Sequence, residues 1–184
     1  MVKKVILLLL PLFLLSLTAC SCTGFDRFIP STEGISYGVS ADGTYAEVLG
    51  YSGSANKIKI ANTYNGLPVT TISDSAFAAC SNLTSVTIPD SVTTIGERVF
   101  VFCSNLTSIT VDPDNEYYQS IDGNLYSKDG KTLIQYAAGK TETAFIIPDG
   151  VNIIGNGAFY KCTNLTSITV DPDNEYYQSI DGDL

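Results

Sequence analysis

The chain has 184 residues, 45% of them hydrophobic, and its 19 acidic and ten basic residues give a formal net charge of −9. An acidic surface repels phosphate groups, which argues against a nucleic-acid partner. The sequence contains no histidine, so a Ser-His-Asp triad and a Cys-His nucleophile are both excluded. No glycine-rich phosphate loop occurs, and no cofactor is expected.

The first 19 residues have the features of a signal peptide. Lys3 and Lys4 form a basic start, and residues 5–17 are apolar except for Pro11 and Ser16. This run is shorter than the roughly 20 residues that a transmembrane helix needs. We therefore predict a leader over residues 1–19, and membrane attachment would have to come from another source.

That source is predicted to be Cys20. Leu17-Thr-Ala-Cys20 follows the apolar run and resembles a bacterial lipobox, in which the cysteine sulfur receives a diacylglyceryl group. We expect an exported lipoprotein, held outside the cytoplasm by its lipid alone, with residues 20–33 as a lipidated tether. Two or more acyl chains anchor a protein stably. The alternative is an ordinary secretory cleavage in which Cys20 has no special role.

Residues 34–66 are predicted to form an N-terminal β cap. Short β-type runs occur at 34–39, 44–51 and 57–60, separated by glycine, serine, asparagine and aspartate. Asp42-Gly43 is a favourable hairpin turn because glycine tolerates positive φ. The end of a repeat array exposes strand edges and core, so an atypical element is needed to cover it.

Residues 67–184 are repetitive. Residues 105–123 recur letter for letter at 164–182, and a shorter period of 23 relates 69–88 to 92–111. A period of 23 falls within the 20–29 residues of leucine-rich repeats, whose units are stable only when stacked. We therefore predict a predominantly β leucine-rich-repeat solenoid with about 23 residues per coil.

Each coil is predicted to contain a strand and a short helical or 3₁₀ segment. In the strand of the first repeat, Val86 and Ile88 would point inward because side chains alternate between the two faces. The segment 96–102 has the apolar spacing of a short helix. Phe100 in this segment, and the equivalent Phe77 and Phe159, are predicted core anchors.

The polar residues of the strands form a candidate binding face. Stacking would align their hydroxyls in rows that could hydrogen-bond a polymer, although threonine also simply suits an exposed strand. The candidate residues are Thr84, Ser85, Thr87, Thr107, Ser108, Thr110, Thr166, Ser167 and Thr169. A second candidate surface, which could equally be packing between coils, comprises Tyr117, Tyr118, Tyr176 and Tyr177.

Cys80, Cys103 and Cys162 occupy one repeat position. Repetition at a single position favours free thiols buried in the core, since cysteine packs as a small apolar residue. A disulfide framework is the alternative in an exported chain.

A β-hairpin is predicted to be inserted between the duplicated blocks. Residues 119–126 and 131–136 are β-type runs on either side of Lys128-Asp-Gly130. The repeat resumes afterwards, because 145–151 matches 86–92. At its far end, the second long copy stops at residues 179–184 where the first continues, so the last coil is expected to be incomplete: a fragment, a natural truncation or an end covered by a partner.

Acidic turns offer a weak metal hypothesis. Asp-Pro-Asp-Asn-Glu occurs twice, and its oxygens are ligands that calcium prefers. However, Pro-Asp-Asn is also a common turn sequence, so we predict no metal site beyond these calcium candidates. They are Asp112, Asp114, Asp171 and Asp173.

The repeat resembles that of BspA-like leucine-rich-repeat surface proteins. The shared pattern is Ile-Pro-x-(Ser/Gly)-Val-x-x-Ile-Gly-x-x-(Ala/Val)-Phe-x-x-Cys-x-Asn-Leu, and the resemblance extends over about 34–184. It implies adhesin-like binding to matrix proteins, other cells or surface polymers, with no catalytic residues.

These observations predict a non-catalytic, lipid-anchored binding module on the cell surface, whose partner is a protein or a glycan. The alternative is a structural spacer, or the N-terminal part of a larger surface repeat protein, with no specific ligand. A calcium-binding surface protein is a remote third possibility.

Overall fold

In the computed structural model the described residues are 31–179, and they form a β-solenoid. The predicted signal peptide, Cys20 and most of the predicted tether lie outside the described residues. The strands in chain order are β1 (Ile35–Val39), β2 (Ala46–Tyr51), β3 (Lys57–Lys59), β4 (Thr63–Tyr64), β5 (Leu67–Ile72), β6 (Ser85–Ile88), β7 (Thr94–Ile95), β8 (Ser108–Val111), β9 (Tyr118–Ile121), β10 (Asn124–Ser127), β11 (Thr132–Gln135), β12 (Ala144–Ile147), β13 (Ile153–Ile154) and β14 (Ser167–Val170).

Five successive coils each contribute one strand to each of two columns. Coil 1 contains β2 and β3, coil 2 contains β5 and β6, coil 3 contains β7 and β8, coil 4 contains β11 and β12, and coil 5 contains β13 and β14. The first column pairs in parallel as β2-β5-β7 and as β11-β13. The second column pairs in parallel as β3-β6-β8 and as β12-β14. Ser85 lies opposite Ser108, which matches the predicted period of 23.

The interior is built from the inward residues of these strands. Val86, Ile88 and Ile109 are fully buried, as period-two alternation requires. Phe77 and Phe100 stack with ring centroids 5.6 Å apart, so the prediction that they are core anchors agrees with the structure. Apolar residues of coils 1–3 form one cluster with Leu125 of β10, and Ile134 of β11 packs against it. Other apolar residues of coils 4 and 5 form two smaller clusters.

The segments between the two columns are turns, so the predicted short helical or 3₁₀ segments are wrong. Among residues 31–179 no helix is present, and 74–79, 97–102 and 156–161 are consecutive turns. Ser75 and Ala79 have φ of 57° and 60°, which a right-handed helix does not allow. Phe77 donates from its N–H to the Val99 carbonyl of the next coil, at 3.0 Å. The backbone therefore bonds between coils rather than along a helix.

The N-terminal region combines a hairpin with the first repeating strand. β1 pairs with β2 in antiparallel fashion and lies at the edge of its sheet. In the turn between these strands, Gly43 has φ of 71°, and Asp42 accepts hydrogen bonds from the Thr44 N–H (3.1 Å) and hydroxyl (2.8 Å). β3 already pairs in parallel with β6, so the repeating ladder begins inside the segment predicted as the cap.

The insertion is a three-stranded antiparallel meander, where the sequence predicted a single hairpin. β10 pairs with β9 on one side and with β11 on the other. The additional turn lies at Asp122-Gly123, whose φ angles are 51° and 76°. Two consecutive positive φ values define the tight hairpin turn that aspartate and glycine favour. The predicted turn at 128–130 joins the second and third strands.

The parallel ladders stop between coils 3 and 4. Among the described strands, β7 does not pair with β11, and β8 does not pair with β12. Beside β8 lies the first turn of the meander, where the Ile109 N–H donates to the Gly123 carbonyl at 2.8 Å and the Ser120 hydroxyl donates to the Ile109 carbonyl. Beside β7, the Ile95 N–H donates to the Tyr118 hydroxyl at 3.1 Å. The meander therefore replaces part of the missing ladder.

The three repeat cysteines are free thiols, as predicted. Cys103 and Cys162 are buried and Cys80 is half-buried. The Cys103 thiol donates to the Phe77 carbonyl of the preceding coil, with Sγ at 3.0 Å from the oxygen. Each thiol thus fills a corner of the solenoid. Across residues 31–179, no helix has the length and apolar character needed to cross a bilayer.

Candidate functional site

The outer surface of the β3-β6-β8 sheet brings six polar side chains into two rows. Residues of these strands that alternate with the buried ones share the outward side of the sheet. The first row is Lys57, Ser85 and Ser108, and the second is Lys59, Thr87 and Thr110. We call these six residues the hydroxyl face.

The four hydroxyls of this face are available to a ligand. Both lysines and Thr110 are exposed, and Ser85, Thr87 and Ser108 are half-buried. Among the described residues, none of the four hydroxyl groups has a hydrogen-bond partner. The strands of the sheet contain no carboxylate. The face therefore presents two ammonium groups and four hydroxyls on a chain whose overall charge is negative.

The first threonine of each predicted Thr-Ser-x-Thr group has a different role. The Thr84 hydroxyl donates to the Asn56 carbonyl at 2.9 Å, and the Thr107 hydroxyl donates to the Thr84 carbonyl at 3.1 Å. The Thr166 hydroxyl donates to the Thr143 carbonyl, also at 3.1 Å. These three hydroxyls join neighbouring coils. They are not free for a ligand, although the sequence pattern placed them in the candidate set.

The hydroxyls of coil 5 are separated from the rest. Ser167 and Thr169 lie in β14, where their register partners are Ala144 and Ile146 of β12. Because β12 does not pair with β8, these two residues are not continuous with the hydroxyl face. The predicted row across three coils is therefore a row across two, bounded by the meander turn.

The acidic motifs are structural turns. The Asp114 N–H donates to Asp112 Oδ1 at 3.1 Å, and the Asp173 N–H donates to Asp171 Oδ1 at 3.0 Å. The amide of the following residue, Asn115, is fully buried. Within the described part of the chain, no group of three or more acidic or cysteine side chains is arranged to hold a metal. Among these residues, therefore, no arrangement of ligands supports the calcium prediction.

The paired tyrosines divide between surface and packing. Tyr117 and Tyr176 are exposed. The Tyr118 hydroxyl donates to the Thr93 carbonyl at 3.3 Å, and the Tyr177 hydroxyl donates to the Asn152 carbonyl at 3.2 Å. The second tyrosine of each pair therefore serves to pack coil on coil.

Sequence reasoning missed the two lysines of the hydroxyl face. Lys57-Ile-Lys59 was placed in the cap, outside the repeat, so its register with Ser85 and Thr87 was not expected. The signal was present in the alternation itself, because Ile58 takes the inward position of Val86. A β run with one inward isoleucine between two lysines fits the first strand of the same column.

The thiols and buried phenols provide no reactive group. Burial raises the pKa of the Cys103 thiol to about 12 and that of the Cys162 thiol to about 11. Burial also raises the pKa of Tyr126 to about 12. These groups stay protonated at neutral pH, and a protonated thiol is a poor nucleophile. The arrangement can bind through hydrogen bonds and charge.

Stacked coils with parallel ladders, a 23-residue period and a corner cysteine define a leucine-rich-repeat protein. Residues 48–134 and 135–181 match the model of the BspA-type leucine-rich-repeat region, in six copies. The chain therefore belongs to the BspA-type leucine-rich-repeat family, and the predicted fold and family are confirmed. No match was found among curated proteins.

Solved structures of bacterial proteins share the fold. The pneumococcal vaccine antigen PcpA is 29% identical, with a TM-score of 0.54 over 61% of this chain and 28% of PcpA. A leucine-rich-repeat protein from Eubacterium ventriosum is 33% identical, with a TM-score of 0.53 over 57% of this chain and 28% of that protein. The leucine-rich-repeat protein of T. pallidum is 24% identical, with a TM-score of 0.53 over 75% of this chain and 69% of that protein. This chain spans less than a third of the first two proteins.

Proposed function

We propose that the protein is a non-catalytic binding module on the bacterial surface, lipid-anchored through Cys20, which binds a protein or glycan through the hydroxyl face. The observation that carries this proposal is the set of four outward hydroxyls, at Ser85, Thr87, Ser108 and Thr110, that have no hydrogen-bond partner among the described residues. Other hydroxyls of the same repeat, such as that of Thr107, are engaged between coils.

The chemistry of the face indicates the class of ligand. Hydroxyl groups both donate and accept hydrogen bonds, which suits the hydroxyls of a glycan or the backbone of a peptide. Lys57 and Lys59 add positive charge at one end of the two rows. A ligand with carboxylate or sulfate groups would gain charge-assisted hydrogen bonds there.

An enzymatic role has little support. The chain has no histidine, the raised pKa values of its buried thiols have burial as their main cause, and its repeat family is generally non-enzymatic. The competing proposal is a spacer, in which the coils only extend a larger surface protein. Threonine also suits the exposed strand of a spacer, so the two proposals are distinguished by a binding experiment.

The binding proposal is tested with the purified chain against a panel of matrix proteins and cell-wall glycans, measured by surface plasmon resonance. Thr87→Glu combined with Thr110→Glu should weaken binding by at least about tenfold, since it places two carboxylates among the lysines. Thr169→Glu is the matched control, because it changes the same repeat position outside the face. Absence of binding by the folded wild-type chain would favour the spacer, and equal loss in both variants would exclude this face as the specific site.

The anchor is tested separately. Cells that express the full chain are labelled with an alkyne palmitate analogue, and the label should be absent from a Cys20→Ala variant. Cys22→Ala is the control, since Cys22 lies two residues later. Equal labelling of wild type and Cys20→Ala would exclude the lipoprotein proposal without affecting the hydroxyl face.

A further inference from the structure

We propose that the groove between coils 3 and 4 binds an extended peptide of a partner protein, which adds its backbone to the turn segment 97–102. The inference goes beyond the proposed function, because the groove is a different surface from the hydroxyl face. It is lined by Arg98, Val101, Phe102, Gln135, Asn156 and Tyr160.

The turn segments of coils 2 and 3 are joined by a row of backbone hydrogen bonds. Turn segment 74–79 donates from three alternate N–H groups to three alternate carbonyls of segment 97–102. The pairs are Ser75 to Glu97 at 3.0 Å, Phe77 to Val99 at 3.0 Å and Ala79 to Val101 at 2.8 Å. The molecule therefore shows what partner these donors take: carbonyls of alternate residues on one edge of a chain.

In the described part of the chain, the equivalent N–H groups lack a hydrogen-bond partner one coil later. Arg98, Phe100 and Phe102 occupy the positions of Ser75, Phe77 and Ala79 after a shift of 23 residues. Among the described residues, their N–H groups have no hydrogen-bond acceptor. Arg98 and Phe102 are exposed and Phe100 is buried, so this row of backbone donors is open to another chain at its two ends.

Among the described residues coil 4 supplies no acceptor to these three donors, and at this position its backbone pairs with coil 5 instead. The Tyr136 N–H donates to the Ala158 carbonyl at 2.9 Å. The Gln135 side-chain amide donates to the carbonyls of Tyr136 (2.8 Å) and Ala158 (3.0 Å). The meander borders this groove through Leu125, Ile134 and Gln135, but among the described residues it provides no acceptor for the three N–H groups.

Two adjoining cavities lie along the break between coils 3 and 4. A cavity of about 210 Å³ lies along 95–100 and reaches Leu125 and Ile134. A second cavity of about 360 Å³ continues toward Phe102 and Tyr160. Both share Arg98, Gln135 and Asn156 in their walls, so the two form one groove. An extended strand presents carbonyls of alternate residues along one edge, which matches the row of donors.

The walls of the groove define the side chains that the peptide needs. Phe102 and Tyr160 are 46% and 44% exposed, and their rings meet edge to face with centroids 5.1 Å apart. Exposed aromatic pairs of this kind are typical anchors of interfaces. The Arg98 guanidinium forms no ion pair or hydrogen bond with another described residue. The partner peptide should therefore carry a large apolar residue for the aromatic pair and one carboxylate for Arg98.

This mode of recognition is strand addition, in which backbone hydrogen bonds give affinity and side-chain pockets give specificity. It is tested by selecting a phage-displayed library of random dodecapeptides on the immobilised full chain. An Arg98→Ala, Phe102→Ala double variant serves for counter-selection. Enriched sequences should combine an acidic residue with a large apolar residue, and the synthetic peptides should bind the double variant at least about tenfold more weakly than wild type.

Hydrogen exchange supplies the readout that is specific to backbone addition. The bound peptide should slow exchange of the Arg98, Phe100 and Phe102 amides, whereas Thr87→Glu with Thr110→Glu should leave peptide affinity unchanged. If no ligand is found to bind the hydroxyl face, the result of this peptide experiment is therefore unaffected. The proposal is overturned if no peptide prefers wild type, or if the selected peptides leave these three amides exchanging at the free rate. Arg98→Lys, which retains the charge, should recover part of the affinity lost in Arg98→Ala.

Discussion

The side-chain amide of Asn115 donates to the Val92 carbonyl, one 23-residue period earlier, at 2.9 Å, and Asn174 repeats this bond to Val151 at the same distance. Asn115 also donates to the Pro89 carbonyl, and its Oδ1 accepts from the N–H groups of Tyr117 and Tyr118. One buried side chain thereby satisfies four backbone groups where the chain leaves the solenoid for the meander.

Replacement of Asn115 should therefore be strongly destabilising. Asn115→Ala leaves buried backbone groups without partners, which should lower the free energy of unfolding by about 2–4 kcal/mol. Asn115→Asp should cost at least as much, because a carboxylate cannot donate to the two carbonyls. Urea unfolding followed by circular dichroism measures both. Asn156→Ala, at an exposed position, should change stability by less than about 0.5 kcal/mol; a similar loss there would remove the special role of Asn115.

Phe77 and Phe102 should differ in their contribution to stability, because Phe77 lies in the core and Phe102 lines the groove. Phe77→Ala should lower the free energy of unfolding by about 3–5 kcal/mol, because the ring is fully buried against Phe100. Phe102→Ala should cost less than about 1 kcal/mol, since nearly half of that side chain is already exposed. The comparison is made by urea unfolding at neutral pH. Equal losses would mean that Phe102 belongs to the core and not to a binding groove.

Two glycines make a matched pair for close approach of the backbone. A Cβ on Gly139 would overlap the carbonyl carbon of Asn105 and lie 2.6 Å from its oxygen, whereas a Cβ on Gly150 meets nothing within 4 Å. Gly139→Ala should therefore cost about 1–3 kcal/mol. Gly150→Ala should be neutral or stabilising by up to about 1 kcal/mol. Thermal unfolding of the two variants checks this, and a lower Tm for Gly150→Ala than for Gly139→Ala would contradict it.

Because the Cys103 thiol is buried, we expect the protein to lose stability at alkaline pH. Burial raises the pKa of Cys103 to about 12, from 9.0 for a free thiol. Below pH 9 both folded and unfolded thiols are protonated, so the full stability is present. Between about pH 9 and 12 only the unfolded thiol releases its proton, and stability falls by about 1.4 kcal/mol per pH unit.

The measurement is the free energy of unfolding at pH 7.5 and pH 10 for wild type and Cys103→Ala. The variant should be weaker at pH 7.5, yet it should lose about 1 kcal/mol less than wild type between the two pH values. Cys162, Tyr126 and Tyr136 titrate in both proteins and cancel in the comparison. An identical loss in both proteins would mean that Cys103 titrates normally in the folded chain.

The repeat period predicted the fold well because it is a property of the whole array. A shift of 23 residues places Ser85 opposite Ser108, and alternation then sends Val86 and Ile109 inward. The helical segments were mispredicted because the apolar spacing around Phe100 fits a helix. What decides against a helix is the neighbouring coil, because the N–H groups of 74–79 donate to the carbonyls of 97–102. Local spacing carries no information on that pairing.

The site was harder to predict for a related reason. Residues 105–123 and 164–182 are identical in sequence, yet Ser108 lies beside Ser85 whereas Ser167 lies beside Ala144. The neighbours of a strand are set by the preceding coil, and the preceding coils differ. Identical residues therefore have different neighbours. For Thr107 and Thr166, only the three-dimensional structure shows that the hydroxyls donate to carbonyls of the neighbouring coil.

The interruption between coils 3 and 4 also divides the molecule mechanically. In a linear array, cooperativity passes only through nearest-neighbour interfaces. Here, among the described strands, one interface lacks both parallel ladders, and Leu125 and Ile134 contribute the apolar contacts that cross it. Pulling on the two ends should therefore separate the part up to β8 from the part that begins at β11 before the parallel ladders within either part yield.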